Sequence, residues 1–210
     1  MSDKIISDYP KVSVLADSLN GSVAWDELFG RPGPVHIEIG SGRGTFLLAQ
    51  AQAEPGVNFL GIEWAMRYYR CAVDRMGRWG IENVRLIRTD AKTFIREHLG
   101  DGTVECFHIY FPDPWPKKRH CKRRFFNEEN LLQMIQRLKH GGLINAATDH
   151  ADYFQQMRTI LARMVETQQL QEVEFVRPAA AEPLEFVGTN YERKYLKEGR
   201  CTYTIAARKV

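Results

Sequence analysis

The chain has 210 residues, 44% hydrophobic and 26% charged, with a net charge of +3, an ordinary composition for a soluble globular protein and long enough for one full core. No apolar stretch is long enough to cross a membrane, and Met1-Ser2-Asp3-Lys4 does not have the character of a signal peptide. The four cysteines, Cys71, Cys106, Cys121 and Cys201, show no CxxC spacing, which favours reduced thiols in a cytoplasmic protein over a disulfide frame or a zinc site.

Residues 1–34 read as a leader of modest structure, closed off by Gly30, Pro32, Gly33 and Pro34, and residues 35–210 as a single domain. Val35 to Ile39 predicts a short apolar strand and Gly44 to Ala53 a helix. Val57 to Ile62 predicts a second strand, ahead of a helix from about Ala65 to Trp79. A third strand, Asn83 to Arg88, leads to a helix through Phe94 and Ile95, and Val104 to Phe111 is the fourth strand. Asn127 is placed to cap a helix that carries Glu128 and Glu129 in its first turn and that Gly141-Gly142 would end. Leu143 to Ala147, Val173 to Val176 and Cys201 to Ala207 predict three further strands, with a helix from Tyr153 to Met164 among them. Strands alternating with helices predict an α/β fold, a mostly parallel sheet with helices on both faces. The stretch from Arg177 to Gly199 is too long for an ordinary connection, and long loops of this kind are functional or disordered.

Glu38-Ile39-Gly40-Ser41-Gly42-Arg43-Gly44 follows the first strand and opens the first helix. Glycines there let a ligand approach the backbone and the helix N-terminus. The dinucleotide fingerprint wants Gly or Ala at 45, where this chain has Thr45, and Glu38 would oppose a pyrophosphate. Glu38, Glu63, Asp90 and Asp113 each fall at or near the C-terminal end of a different predicted strand, the edge where open α/β sheets bind ligands. Four carboxylates gathered there repel a phosphate-rich cofactor. They suit a cation with a ribose diol and an amino group, and S-adenosylmethionine has these and no phosphate. Glu63 is placed to accept from the ribose hydroxyls and Asp90 from the adenine amine. Each also stands where it could only cap the helix that follows.

The fourth strand runs into Phe111-Pro112-Asp113-Pro114-Trp115-Pro116. Pro112 and Pro114 fix their own φ, push Phe111 and Asp113 toward extended backbone and offer no N–H, so Asp113 is held stiffly. Six of the eight residues from Lys117 to Arg124 are Lys or Arg, which points to an anionic partner at this one place.

Glu38 to Gly44, Gly61-Ile62-Glu63, Asp90-Ala91, the Phe111 to Trp115 block with its basic continuation, Thr148-Asp149 and Thr189-Asn190-Tyr191-Glu192 occur in this order, and together they resemble the bacterial TrmB-type tRNA (guanine-N7-)-methyltransferases over roughly residues 34–208. The resemblance implies a Rossmann-like class I fold that uses S-adenosylmethionine. It implies a mostly parallel seven-stranded sheet with an antiparallel last strand, and methylation of guanine 46 in the tRNA variable loop. It implies cofactor contacts from Glu38, Gly40, Gly42, Glu63, Asp90, Ala91 and Asp113, with Asp113 also the catalytic position. Lys117, Asp149, Thr189, Asn190, Tyr191 and Glu192 match substrate positions, and Arg119, His120, Lys122, Arg123 and Arg124 match the segment that contacts RNA. Asn190 is a departure, standing where the family often has Lys.

Guanine N7 carries a lone pair and no proton, so the nucleophile needs no general base. The protein must supply alignment and tolerance of the positive charge that develops on the purine. Glu192 and Asp149 are the candidate acceptors for guanine's N1–H and N2–H₂ edge, and Trp115 and Tyr191 the candidate stacking surfaces. The expected partner is tRNA, with no membrane, no metal and no obligate protein partner. Two rival readings are a methyltransferase acting on an exocyclic base amine and a non-catalytic RNA-binding module on the same fold. The first expects a second proline where Trp115 stands. The second is at odds with intact carboxylates at all four strand ends.

Overall fold

Short apolar runs punctuated by glycine and proline make the strands, and amphipathic stretches between them make the helices. The computed structural model describes residues 8–210, so the reading of Met1 to Lys4 lies outside the described residues. The strands are β1 (Ser13–Val14), β2 (Val35–Ile39), β3 (Asn58–Ile62), β4 (Val84–Ile87), β5 (Val104–Tyr110), β6 (Leu138–Thr148), β7 (Leu170–Val173) and β8 (Tyr203–Lys209). The helices are α1 (Trp25–Phe29), α2 (Thr45–Ala53), α3 (Met66–Arg78), α4 (Ala91–His98), α5 (Glu128–Arg137), α6 (Ala151–Glu166) and α7 (Asn190–Lys197), with short 3₁₀ turns at Ala16–Ser18 and Lys118–Arg123.

One eight-stranded sheet runs in the order β1-β4-β3-β2-β5-β6-β8-β7. The pairings from β1 through β6 are parallel, and β8 lies antiparallel to both β6 and β7. Every residue of β3 and β4 is buried, as expected of strands covered on both faces. Phe94, Ile95, Leu131, Met134, Tyr153 and Met157 bring α4, α5 and α6 against one face. Phe46, Leu47, Ala72, Val73 and Met76 bring α2 and α3 against the other. Among the described residues no helix is long and apolar enough to cross a membrane.

The architecture and the antiparallel last strand match expectation, and four details differ. The sheet has eight strands, because residues 13–14 of the leader add a parallel edge strand through Ser13↔Leu86 and Val14↔Ile87. Helix α5 ends at Arg137, not at Gly141-Gly142. The glycine pair lies inside β6, where the pairing with β5 shifts register between Val104 and Cys106. A Cβ at Gly142 would come within 3.0 Å of the Glu105 and Lys139 carbonyl oxygens, so glycine is what lets the two strands close there. Strand β7 begins at Leu170, three residues before the expected Val173, because a tight turn at Thr167 and Gln168 returns the chain at once to the sheet edge. The 177–199 segment contains helix α7.

Candidate active site

The chain moves outward from β2 through β3 to β4, then returns to β5 on the other side of β2. Strand order reverses between β2 and β5, the point at which open α/β sheets form a ligand crevice outside the C-terminal ends of their strands. Glu38, at the end of β2, is 4% exposed. Its Oε2 is buried with no hydrogen-bond partner. Burial, and then the neighbouring Glu63 charge, push its carboxyl well above the usual carboxylate range. The protein gives that oxygen no donor, so it is left to accept one from a ligand bound against the end of β2.

The glycine loop wraps around the end of β3. Gly40 and Ser41 donate their N–H groups to the Ile62 carbonyl at 2.8 and 3.1 Å. Gly42 donates to Glu63 Oε2 at 2.8 Å, while Ala65 donates to Glu63 Oε1 at 2.7 Å. Glu63 therefore ties the loop to the start of α3, and each carboxylate oxygen keeps a second lone pair free. Gly40 has φ 76° with nothing within 4 Å of the position its Cβ would take, which leaves the backbone open to a ligand. At Gly44 a Cβ would lie 2.8 Å from Met76 Cε, so glycine here sets the close packing of α2 on α3. Asp90, at the end of β4, caps α4 by accepting from Thr93 N at 2.9 Å, and Ala91 is the first residue of that helix.

Phe111 and Trp115 bracket Asp113, and both have left-handed backbone, with φ 49° and 42°. The extended conformation expected of Phe111 is thus not the one adopted. Its N–H completes the β5–β6 ladder by donating to Ala147 O at 2.8 Å, and its ring packs edge-on to Tyr195 at 5.7 Å. Both contacts hold a non-glycine residue in a region that costs on the order of 1 kcal/mol or more. Asp113 itself is exposed at the crest of the loop.

Lys117, Lys118, Arg119, Lys122 and Arg123 are all exposed around the 3₁₀ turn, and the Arg123 guanidinium lies 5.0 Å from the Trp115 ring centroid. His120 meets the same ring edge-on and is half-buried. Arg124 departs from the expectation of an RNA contact. It is 2% exposed. Its guanidinium donates to Pro114 O at 2.8 Å, to Gln156 Oε1 at 2.7 Å and to Asp152 Oδ2 at 2.6 Å, and lies over the Tyr153 ring. It bolts the Pro-Asp-Pro loop to α6, and no phosphate can reach it there.

Across the crevice, Thr189 caps α7 by accepting from Glu192 N at 3.1 Å. Glu192 is 0% exposed, and its carboxylate accepts from the N–H groups of Phe186, Val187 and Gly188 at 2.5, 3.0 and 2.8 Å. Expected to read a base edge, it instead shapes the turn that enters α7. Asn190 donates to Thr45 Oγ1 at 2.7 Å, and Arg75 donates to the same hydroxyl, so α7 is tied to the start of α2 and to α3. Tyr191 is partly exposed beside Tyr195. Asp149, just past the end of β6, pairs with Arg200 at 2.8 Å, while Arg200 also lies over the Tyr195 ring.

The structure thus gathers Glu38, Gly40, Gly42, Glu63, Asp90, Ala91 and Asp113 along the C-terminal ends of neighbouring central strands. It sets the exposed basic turn and α7 around them. Arg200 and Tyr195 join the site without having been singled out by any sequence motif. Nothing in its local sequence marks Arg200, whereas Tyr195 lies one helical turn after Tyr191, a spacing that places both on one helix face.

A family model described as a putative methyltransferase matches residues 32–205. The chain is 34% identical to a tRNA (guanine-N(7)-)-methyltransferase of Streptococcus thermophilus over 87% of this chain and 84% of that one. A tRNA (guanine-N(7)-)-methyltransferase of Rhodopirellula baltica is 32% identical over 92% of this chain and 72% of its own length. In three dimensions the chain resembles an antibiotic-related methyltransferase with a TM-score of 0.60 at 16% identity, over 88% of this chain and 92% of that one.

Proposed function

The chain belongs to the tRNA (guanine-N(7)-)-methyltransferase family, and we propose that it methylates N7 of guanine 46 in the tRNA variable loop. It is a methyltransferase that takes its methyl group from S-adenosylmethionine. The observation that carries the site assignment is the unpartnered, buried Oε2 of Glu38 beside Glu63, under a glycine loop with room at Gly40. That pocket is acidic and short of donors, so it fits an ammonium and hydroxyl groups and opposes phosphate.

Bound S-adenosylmethionine supplies a methyl group on a positively charged sulfur. Glu38 accepts from the cationic amino acid portion, Glu63 from the ribose through its free lone pairs, and Asp90 from the adenine edge next to Ala91. Gly40 and Gly42 let the ligand sit against the backbone. Asp113 is no general base, because N7 has no proton to give. It places fixed negative charge where the purine becomes positive, and the two flanking left-handed residues and the Arg124 clamp keep it there. Asp149 accepts from the guanine N1–H and N2–H₂ edge, with Arg200 orienting its carboxylate. Thr189, Asn190 and Glu192 hold α7 in position, which leaves Tyr191 on its surface for a base or ribose. Lys117, Arg119, His120, Lys122 and Arg123 face the RNA backbone. They offset part of the few kcal/mol needed to turn a base out of folded RNA. The setting is the cytoplasm, supported by four free cysteines.

Incubation with S-adenosylmethionine labelled in the methyl group and unmodified tRNA, followed by nucleoside analysis, tests this. Label in 7-methylguanosine at position 46 is expected. Label in an N-methyl amine would favour the exocyclic rival, and tRNA binding without label would favour a non-catalytic module.

A further inference from the structure

Two residues below Glu38, on the face of the sheet covered by α2, lies a polar cluster that the methyl-transfer site does not use. Parallel register pairs His36 of β2 with Cys106 of β5, and Glu38 with His108. Side chains at i and i+2 of a strand share a face, so His36, Cys106 and His108 point the same way. One ligand atom from each of the three lies within 4.8 Å of the others. His36 Nδ1 and His108 Nε2 are 3.2 Å apart. The walls are aromatic: the Phe46 ring lies 4.9 Å from His108, and the Phe59 ring meets His36 edge-on at 5.4 Å.

We infer that His36, Cys106 and His108 form a binding site for a zinc-class cation, held between β2 and β5 beneath the cofactor crevice. Two imidazoles and a thiol are borderline-to-soft donors, a set suited to Zn²⁺ and unsuited to Mg²⁺ or Ca²⁺. Two of the three ligands already have the outer partners that metal ligands keep. His108 Nδ1 is bonded to Tyr110 Oη at 2.9 Å, which orients the ring so that Nε2 faces the cluster. Asn145 Nδ2 donates to Cys106 Sγ at 3.5 Å, a partner that orients the sulfur from outside the cluster. Asn145 is the register partner of His108 on β6, so this support is built into the sheet. His36 is half-buried and gives the ion a path from solvent, along with a fourth position for water.

The charges balance with one proton released. The thiol loses its hydrogen to solvent as the metal–sulfur bond forms. The imidazoles stay neutral and only exchange tautomers, so that His108 carries its hydrogen on Nδ1, toward Tyr110, and both facing nitrogens offer lone pairs. The absence of a CxxC pair in the sequence argues against zinc. Here the ligands come from strands some seventy residues apart, and only the register shows them together.

The test uses the full chain, stripped with chelator and dialysed against Zn²⁺ or Co²⁺. One equivalent of Zn²⁺ by mass spectrometry is expected, with a sulfur-to-cobalt charge-transfer band for the Co²⁺ form and a melting temperature raised by either ion. Cys106→Ser should abolish the band and weaken Zn²⁺ binding by more than about tenfold, whereas Cys121→Ser should leave both intact. Should Cys106→Ser fail to fold, His36→Gln at the half-exposed position decides, with the same weakening expected. No bound Zn²⁺ in the wild type, or equal binding by wild type and His36→Gln, overturns the proposal.

Discussion

At the scale of single residues, the crevice is held together by groups whose ordinary preferences are denied. Glu38 is the clearest case, because its carboxyl sits above its ordinary value through burial and the Glu63 charge. A carboxyl whose folded pKa exceeds its unfolded value binds more protons in the native state. Its contribution to stability is therefore complete below about 4.5 and is lost as pH rises through the raised value. Glu38→Gln should remove that pH dependence and raise the melting temperature of the free protein at pH 7, while weakening S-adenosylmethionine binding at least about tenfold. For the wild type, calorimetry in two buffers should show tighter binding as pH rises, with a proton released on binding. A variant that binds as tightly as the wild type would remove Glu38 from the cofactor site. Arg124 makes the complementary case: a buried cation whose three acceptors all belong to the loop and to α6. Lys cannot reproduce its fork, so Arg124→Lys as well as Arg124→Met should lower kcat by about a hundredfold through a misplaced Asp113. Cofactor affinity should stay within threefold in both variants, and a steady-state split of kcat from binding is the measurement. Asp113→Asn should show the same split, and full turnover by that variant would leave its carboxylate without a role.

At the scale of elements, the four carboxylates sit at or just past the C-terminal ends of β2, β3, β4 and β5. The four carboxylates are legible in the sequence because strand ends follow from hydrophobic runs, and the runs of β2 to β5 are short and sharply bounded. The basic turn is legible only as charge. Five of its six cationic residues are exposed, and the sixth, Arg124, faces inward because Pro114 O, Gln156 and Asp152 converge on it from segments that no local pattern connects. Glu192 misleads for the same kind of reason. Its acceptor pattern suits a base edge, but the 186–188 turn folds its three N–H groups onto it first. The glycine pair 141–142 has the look of a helix stop, and the bulge it serves is a property of the β5–β6 pairing. The exposed members of the turn lead to a direct prediction. Arg119→Ala with Lys122→Ala should weaken tRNA binding and reduce the slope of log affinity against log salt by about two, one for each phosphate no longer neutralised. Filter binding over a salt series measures it, and an unchanged slope would take the turn out of the RNA interface.

At the scale of the whole molecule, the leader and the domain share one sheet. β1 covers the edge of β4, Val12 and Phe29 are buried, and Ser13 Oγ is 2.7 Å from Tyr69 Oη on α3. Arg85 of β4 reaches back to the Leu28 and Phe29 carbonyls at 2.9 and 3.1 Å, so the connection runs in both directions. A boundary at residue 34 drawn from glycine and proline is therefore a boundary in composition that packing crosses. If residues 35–210 were a self-sufficient domain, removing residues 1–34 would leave its melting temperature unchanged. The contacts argue otherwise. Burying two large apolar side chains is worth about 1.5–3 kcal/mol each. For a chain of this size each kcal/mol shifts the midpoint by about 2–4 °C. The truncated chain should therefore melt on the order of 10 °C lower, and its exposed β4 edge should increase association between molecules. Differential scanning calorimetry with light scattering reads both effects. The crevice centres on β2 and β5, and β3 and β4 enter it only through Glu63 and Asp90 at their C-terminal ends. The truncated chain, kept below its lowered midpoint, should therefore still bind S-adenosylmethionine with affinity close to that of the full chain. Loss of binding under those conditions would instead make the leader part of the cofactor site.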